Sequence, residues 1–103
     1  MGFVQIIEYR TSKPEEVQAL GEAYRDQRMA EAGTDDMGGV RIMATKDRDG
    51  DDVYLTIAYF PSYEAAMENS QREDTGEFAA AMGALCDGPP IFRNLDVLME
   101  YGG

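Results

Sequence analysis

Residues Val53–Phe60 read VYLTIAYF, and this stretch decides the fold. Apolar residues alternate along it with aromatic or small ones, so it predicts a β-strand neither of whose faces suits bulk water. A single sheet in a small protein normally has one face exposed to solvent. We therefore expect helices to cover Val53, Leu55 and Ile57, and a second copy of the chain to cover the opposite face.

The segments before this strand predict a strand, a helix and a hairpin. Residues 3–9 (FVQIIEY) are rich in β-branched and aromatic residues and predict a strand. Ser12 and Glu15 have capping-box spacing and predict a helix that ends at Gly33, followed by a loop at 34–39. Residues 40–46 predict a strand. It should form an antiparallel hairpin with Val53–Phe60 through Asp49-Gly50, where glycine accepts the positive φ of a tight turn.

The segments after this strand predict a broken helix and a last strand. Ser62 predicts an N-cap, residues 69–76 weaken the helical pattern, and a restart is expected at Asp74. Residues 91–101 (IFRNLDVLMEY) alternate as a final strand. The order strand, helix, strand, strand, helix, strand predicts one α+β domain over residues 1–103, with the ferredoxin-like βαββαβ plan and a four-stranded antiparallel sheet. Two such sheets could bury their uncovered faces against each other, so we expect a homodimer.

Composition excludes several classes of partner and cofactor. Twenty acidic and nine basic residues give a net charge of −11, which repels nucleic acid and anionic membranes, so neither is an expected partner. The chain has no histidine, which excludes histidine-ligated haem, a facial iron triad and a histidine base. The loop that holds the aspartates around Gly50 is shorter than a calcium-binding loop and has no flanking helices. No glycine-rich phosphate loop is present. We therefore expect neither a metal nor a cofactor.

Cellular location is predicted from the first ten residues and the single cysteine. Residues 1–10 show no signal-peptide pattern, and Cys86 alone cannot form an intramolecular disulfide. A cytoplasmic protein is expected. Cys86 lies on an apolar helical stripe and is interpreted as a buried structural thiol.

Three segments together resemble a known family. They are FVQIIEYR at residues 3–10, YLTIAYFPSYEAAM at residues 54–67 and DGPPIFRNLDVL at residues 87–98. In this pattern the chain resembles the dimeric α+β barrel proteins grouped with the antibiotic biosynthesis monooxygenase domain. The resemblance implies a barrel-forming dimer and, for some members, cofactor-independent oxygenation of aromatic polyketides or quinols. Other members degrade haem, isomerise small molecules or have no assigned activity, so the fold alone cannot choose among these functions.

The predicted site is the sheet face that would line the barrel. An apolar cavity with a few converging polar groups is typical of small-molecule sites. We predict that Arg41 holds a substrate anion, Tyr54 positions a carbonyl or transfers a proton, and Asn94 orients a small aromatic ligand. Five further residues are predicted to bind that ligand: Tyr9, Met43, Phe60, Asn69 and Arg72.

Two alternatives to an oxygenase remain open at this point. Tyrosine, threonine and methionine on a strand that faces a partner also suit plain interface packing, which would make the protein a non-catalytic ligand-binding module or a structural dimer. A proton-transfer isomerase would need a carboxylate such as Glu8 or Asp96 turned inward. A register shift of one residue would exchange the inward and outward side chains.

Overall fold

The computed structural model describes residues 2–33 and 39–102 and confirms the predicted order of elements, with the second helical segment divided in two. The strands are β1 (Phe3–Arg10), β2 (Arg41–Lys46), β3 (Val53–Phe60) and β4 (Ile91–Asp96), and the helices are α1 (Pro14–Ala32), α2 (Tyr63–Ser70) and α3 (Glu73–Leu85). All neighbouring strands are antiparallel, in the order β2-β3-β1-β4. The predicted ferredoxin-like α+β fold is therefore confirmed.

The helix ends follow local chemistry, with one departure from prediction. Ser62 caps α2 as expected, since its Oγ accepts a hydrogen bond from the backbone N–H three residues later at 3.1 Å. Gly33 ends α1 in the left-handed conformation, with φ of 70°. The predicted capping box of α1 is wrong, because its N-cap is Lys13, which makes no side-chain cap, and the Ser12 hydroxyl donates instead to Asp87.

The helical break and the hairpin are both present, with local differences. α2 ends at Ser70 and α3 begins at Glu73, one residue before the predicted restart. The hairpin joins β2 to β3 as predicted, but the residue with positive φ is Asp52, at 56°, and not Gly50. The final strand ends at Asp96, five residues short of its prediction. Of the predicted loop at 34–39, only Gly39 falls within the described residues.

The strand register reverses the predicted assignment of the two sheet faces. Phe3 pairs with Phe60 and Tyr9 pairs with Tyr54, so these four side chains share one face of the sheet. Apolar side chains of α1, α2 and α3 pack on that face, which we call the helix side. The expectation that helices cover Val53, Leu55 and Ile57 is wrong, since these residues lie on the opposite, helix-free side, which we call the open face. Its side chains are Val4, Ile6, Glu8, Arg10, Arg41, Met43, Thr45, Val53, Leu55, Ile57, Tyr59, Ile91, Arg93 and Leu95.

The core on the helix side consists of two separate clusters. One lies beneath α2 and contains Phe3, Ala58, Phe60 and Ala66. The other lies beneath α1 and α3. Its buried members are Tyr9, Val17 and Met82, with Ile7, Leu20, Tyr54, Phe78, Leu85 and Cys86 packed around them. The polar side chains on the helix side of the sheet therefore lie between these two clusters and on the edge strands β2 and β4.

Candidate functional site

The two sheet faces divide the predicted site residues. Tyr9, Tyr54, Phe60 and Asn94 lie on the helix side, whereas Arg41 and Met43 lie on the open face, where they pair with Tyr59 and Ile57. The prediction that Arg41, Met43 and Tyr54 line one cavity of a single sheet face is therefore wrong. Its physical cause is the β2–β3 register: Lys46, not Thr45, is paired with Tyr54, and side chains alternate between faces at every residue.

Two stacked tyrosines form the apolar end of the helix side. The rings of Tyr9 and Tyr54 are 5.7 Å apart between centroids and 17° from parallel, and the Lys46 ammonium lies 5.8 Å from the Tyr54 centroid. Tyr9 is only 7% exposed. Burial raises the pKa of the Tyr9 phenol, and a hydrogen bond with Thr56 offsets part of this effect. At neutral pH Tyr9 is thus a protonated hydrogen-bond donor, not a base.

An amide pair lies on the same face, four residues along β1 from Tyr9 and towards the β4 edge. The Gln5 Nε2 donates to Asn94 Oδ1 at 3.1 Å, and these residues are directly opposite each other in β1 and β4. Asn94 accepts through its side-chain oxygen in this contact, which leaves its NH₂ group as a further donor. That NH₂ group has no hydrogen-bond partner within residues 2–33 and 39–102. Phe92, two residues earlier on the same face, is 54% exposed. This edge therefore offers an aromatic surface beside amide donors.

Several side chains in the middle of the helix side are small. Thr56 and Ala58 of β3, and Ala44 of β2, lie between the Tyr9–Tyr54 pair and the Phe3–Phe60 pair. Phe60, a predicted ligand-binding residue, is 3% exposed and belongs to the α2 cluster. The Phe60 side chain can therefore form part of the floor of a site, but little of its surface is available to contact a ligand.

Cys86 packs beside the tyrosines but is half-buried, whereas the sequence predicts a buried thiol. It lies against the cluster that contains Tyr9, and its Sγ donates to the Met82 carbonyl oxygen at 3.2 Å. Burial is the main cause that raises the pKa of the thiol, with the Asp87 carboxylate a lesser one. The thiol is therefore protonated and weakly nucleophilic at neutral pH.

A polar cluster at the junction of all three helices was missed by sequence reasoning. Arg28 of α1 donates from Nη1 to Tyr24 Oη and to Asn69 Oδ1, each at 2.7 Å, and Tyr24 Oη is 2.8 Å from Thr75 Oγ1. The Tyr24 ring stacks on Phe78 with centroids 4.6 Å apart. Of these residues only Asn69 was predicted to bind ligand. Arg28 could have been found, because it continues the helical stripe four residues after Tyr24.

Arg72, the remaining predicted ligand-binding residue, forms ion pairs with two acidic residues at the protein surface. It donates to Glu31 at 2.6 Å and forms a two-point contact with Asp74 at 2.9 Å. These hydrogen bonds raise the pKa of Arg72, and the hydrogen bond from Arg72 is the main cause that lowers the pKa of Asp74. The surrounding groove is open, acidic and about 390 Å³ in volume.

A second cavity is small and lies at the far end of β1. It measures about 90 Å³, and Glu8, Tyr9, Arg10, Ile91 and the loop residues 87–89 line it. Within the described residues no group of three or more His, Cys, Asp or Glu side chains could hold a metal ion. Among the helices described, none combines the length and the apolarity needed to cross a membrane.

Comparison with known proteins relates the chain to others by structure alone. No family model and no curated protein matches it. The putative antibiotic biosynthesis monooxygenase from Caulobacter crescentus CB15 superposes with a TM-score of 0.77 at 16% identity, covering 95% of this chain and 91% of that one. Rv0793 from Mycobacterium tuberculosis gives 0.76 at 19% identity, covering 99% and 100%.

A third solved structure is that of a protein with a named activity. A mutant of SnoaB, a cofactor-independent oxygenase from Streptomyces nogalater, superposes with a TM-score of 0.74 at 15% identity, covering 96% of this chain and 95% of that one. At these identities the likeness concerns the fold. The chain therefore has the ferredoxin-like fold of the antibiotic biosynthesis monooxygenase-like domains, as its sequence resemblance predicts.

Proposed function

We propose that two copies of this chain form a homodimer that acts as a cofactor-independent monooxygenase-like protein on a small, flat aromatic substrate of the quinol or anthrone type. The observation that carries the proposal is the helix side of β1 and β4, where the exposed Phe92 lies beside the Gln5–Asn94 amide pair. The fold shared with a cofactor-independent oxygenase and with putative monooxygenases supports it.

The residues on this side suit the recognition of a ring that carries a phenolate or carbonyl oxygen. Phe92 offers a face for stacking, which favours planar aromatic molecules. The Asn94 NH₂ is a donor for that oxygen, and hydrogen bonds to a charged acceptor are the stronger ones. Tyr9 lies four residues along β1 from Gln5, which pairs with Asn94, so its protonated hydroxyl is a donor for a second oxygen at the far end of the ring system. Tyr54, stacked on Tyr9, holds that ring in place. These roles revise the predicted site: Asn94, Tyr9 and Tyr54 stay in it, and Arg41 and Met43 leave it for the open face.

The proposed reaction needs only the substrate and oxygen. The substrate loses a proton to solvent, from the ring CH₂ of an anthrone or from a hydroxyl of a quinol, and the resulting delocalised anion transfers one electron to O₂. The two radicals combine into a peroxide, which takes up a proton and loses water to leave a carbonyl. One oxygen atom enters the product and the other leaves as water. The protein's part is to bind the anion, stabilise its charge through donors and exclude bulk water.

Oxygen uptake by the purified protein with a panel of anthrones and quinols tests the proposal. We expect one O₂ consumed per carbonyl formed, and a loss of at least about tenfold in kcat/KM for Asn94→Ala, which corresponds to one hydrogen bond to a charged group. Gln18→Ala, which removes an exposed amide on α1, is the matched control and should keep wild-type uptake. Uptake no faster than the protein-free background, across the panel, would eliminate the oxygenase.

The second candidate function is binding without chemistry, and a specific observation favours it. The two groups near the helix side of the sheet whose pKa values move, Tyr9 and Cys86, both have raised values and stay protonated. Neither is therefore a poised general base. Titration calorimetry with the same panel separates the two functions, because heat of binding without oxygen uptake identifies a ligand-binding dimer.

A further inference from the structure

A carboxylate follows the proposed aromatic and amide groups along β4. Phe92, Asn94 and Asp96 are every second residue of this strand, so their side chains all lie on the helix side of the sheet. β4 is an edge strand, and all three residues are exposed. The Cα atoms of Asn94 and Asp96 are roughly 7 Å apart at the rise of a strand. The strand therefore places a group that only accepts hydrogen bonds next to the amide that the proposed site uses.

Exposed aromatic rings lie at both ends of this row. Phe92 is 54% exposed at one end. At the other end Asp96 is directly opposite Phe3, and the Tyr63 ring meets the Phe3 ring edge-on, with centroids 5.3 Å apart. Tyr63 is itself 53% exposed. A flat ring system bound by Phe92 and Asn94 therefore has one of its two ends next to Asp96.

No neighbouring cation balances the charge of Asp96. This carboxylate forms no ion pair in the part of the chain that the structure describes. Of the basic residues in the four described strands, only Lys46 lies on the helix side, and it occupies the diagonally opposite corner of the sheet. Three strand spacings and six residues separate the two side chains, a distance of about 24 Å. Because this is about three Debye lengths at physiological salt, the Asp96 end of the site is negative.

We propose that Asp96 sets the substrate class of the site, by selecting ring systems that carry a hydroxyl group at this end and rejecting those that carry a carboxylate there. The inference rests on the proposed function and deepens it, because it concerns the same aromatic substrate. A substrate hydroxyl donates a hydrogen bond to the Asp96 carboxylate, and hydrogen bonds to charged groups are the stronger ones. A substrate carboxylate brings a second negative charge and no donor. The site therefore takes uncharged, hydroxylated aromatic molecules in preference to the corresponding acids.

Titration calorimetry with two anthraquinones tests this specificity without any need for turnover. Aloe-emodin and rhein share one dihydroxyanthraquinone ring system and differ in a single substituent, which is a hydroxymethyl group in aloe-emodin and a carboxylate in rhein. We expect the wild-type protein to bind aloe-emodin at least about fivefold more tightly, the factor that a like-charge contact at about 4 Å is worth in water. Asp96→Asn should bring the two Kd values within about twofold, chiefly by tightening rhein, because an amide is uncharged and can donate.

Asp51→Asn is the matched control. It makes the same change of charge at an exposed position in the loop between β2 and β3, at the other end of the sheet from Asp96. The ratio of the two Kd values should therefore stay at its wild-type value. Equal affinities of the wild-type protein for the two quinones, or a preference that Asp96→Asn leaves in place, would overturn the inference.

Oxygen uptake with the corresponding anthrones separates this inference from the proposed function. If the oxygenase is real, Asp96→Asn should raise kcat/KM for rhein anthrone at least about fivefold relative to that for aloe-emodin anthrone. Preferential binding of aloe-emodin with no oxygen uptake from either anthrone would leave the inference standing and refute the oxygenase. Oxygen uptake at equal kcat/KM from the two anthrones would refute the inference and leave the oxygenase standing. Absence of binding of both quinones would refute the site on the helix side and the inference together.

Discussion

Replacing Thr11 by valine should destabilise the protein more than replacing it by serine. Thr11 has no exposed surface and joins the start of α1 to the end of α3. Its Oγ1 donates to the Leu85 carbonyl oxygen at 2.6 Å and accepts from the Lys13 N–H at 3.0 Å. Valine keeps the shape but leaves the buried carbonyl without its donor, which costs about 1–3 kcal/mol, with about 1 kcal/mol more for the second bond. Serine keeps both bonds and loses one buried methyl, about 1 kcal/mol.

Urea denaturation at one fixed protein concentration measures the difference, because a dimer's stability depends on concentration. We expect the valine variant to lose about 2–4 kcal/mol and the serine variant about 1 kcal/mol, with equal slopes against urea. The order of the two variants is the test, since it separates the hydroxyl from the methyl. A serine variant as unstable as the valine variant would mean that packing, and not hydrogen bonding, holds the α1–α3 junction.

Four further predictions concern the core, the helix junction and the two groups Tyr9 and Cys86. Phe60→Ala should cost about 3–5 kcal/mol in the same urea assay, because the ring is 3% exposed within the α2 cluster. Arg28→Ala should cost about 1–3 kcal/mol by thermal melting, since it removes one hydrogen bond within α1 and one from α1 to α2, and Arg28→Lys should recover part of this. Because folding raises the Tyr9 pKa, the folded state holds this proton more tightly. The resulting stability is complete below pH about 10 and falls as the pH rises above it, and Tyr9→Phe should flatten that fall. Cys86 should react with iodoacetamide at pH 8 more slowly than free cysteine does.

Local signals in the sequence were sufficient to predict the architecture. Alternation over Val53–Phe60, the Ser62 cap and the Gly33 stop each act within a few residues, and each is present in the structure. The prediction of a capping box at Ser12 was wrong for a reason that is also local. The Thr11 hydroxyl accepts from the Lys13 N–H, which sets the backbone just before Pro14 and leaves Ser12 outside the helix.

The assignment of sheet faces could not be predicted in the same way. β3 has apolar or aromatic side chains on both sides, so its alternation does not distinguish the side that helices cover. The deciding information includes a long-range contact, in which Met82 of α3 packs with Tyr9 of β1. These two residues are 73 positions apart along the chain, and no local window of sequence contains both.

The reversed faces change which residues can act together. Arg41, the strongest cationic candidate in the sequence, lies on the open face, so a substrate on the helix side would rely on neutral donors such as Asn94 and Tyr9. Neutral donors stabilise an anion less than a guanidinium does. A substrate suited to this side is therefore one whose charge is already spread over an aromatic system. Should Arg41→Ala abolish oxygen uptake while Asn94→Ala leaves it unchanged, the reacting molecule would have to lie between the two open faces, and the helix side would be a core alone.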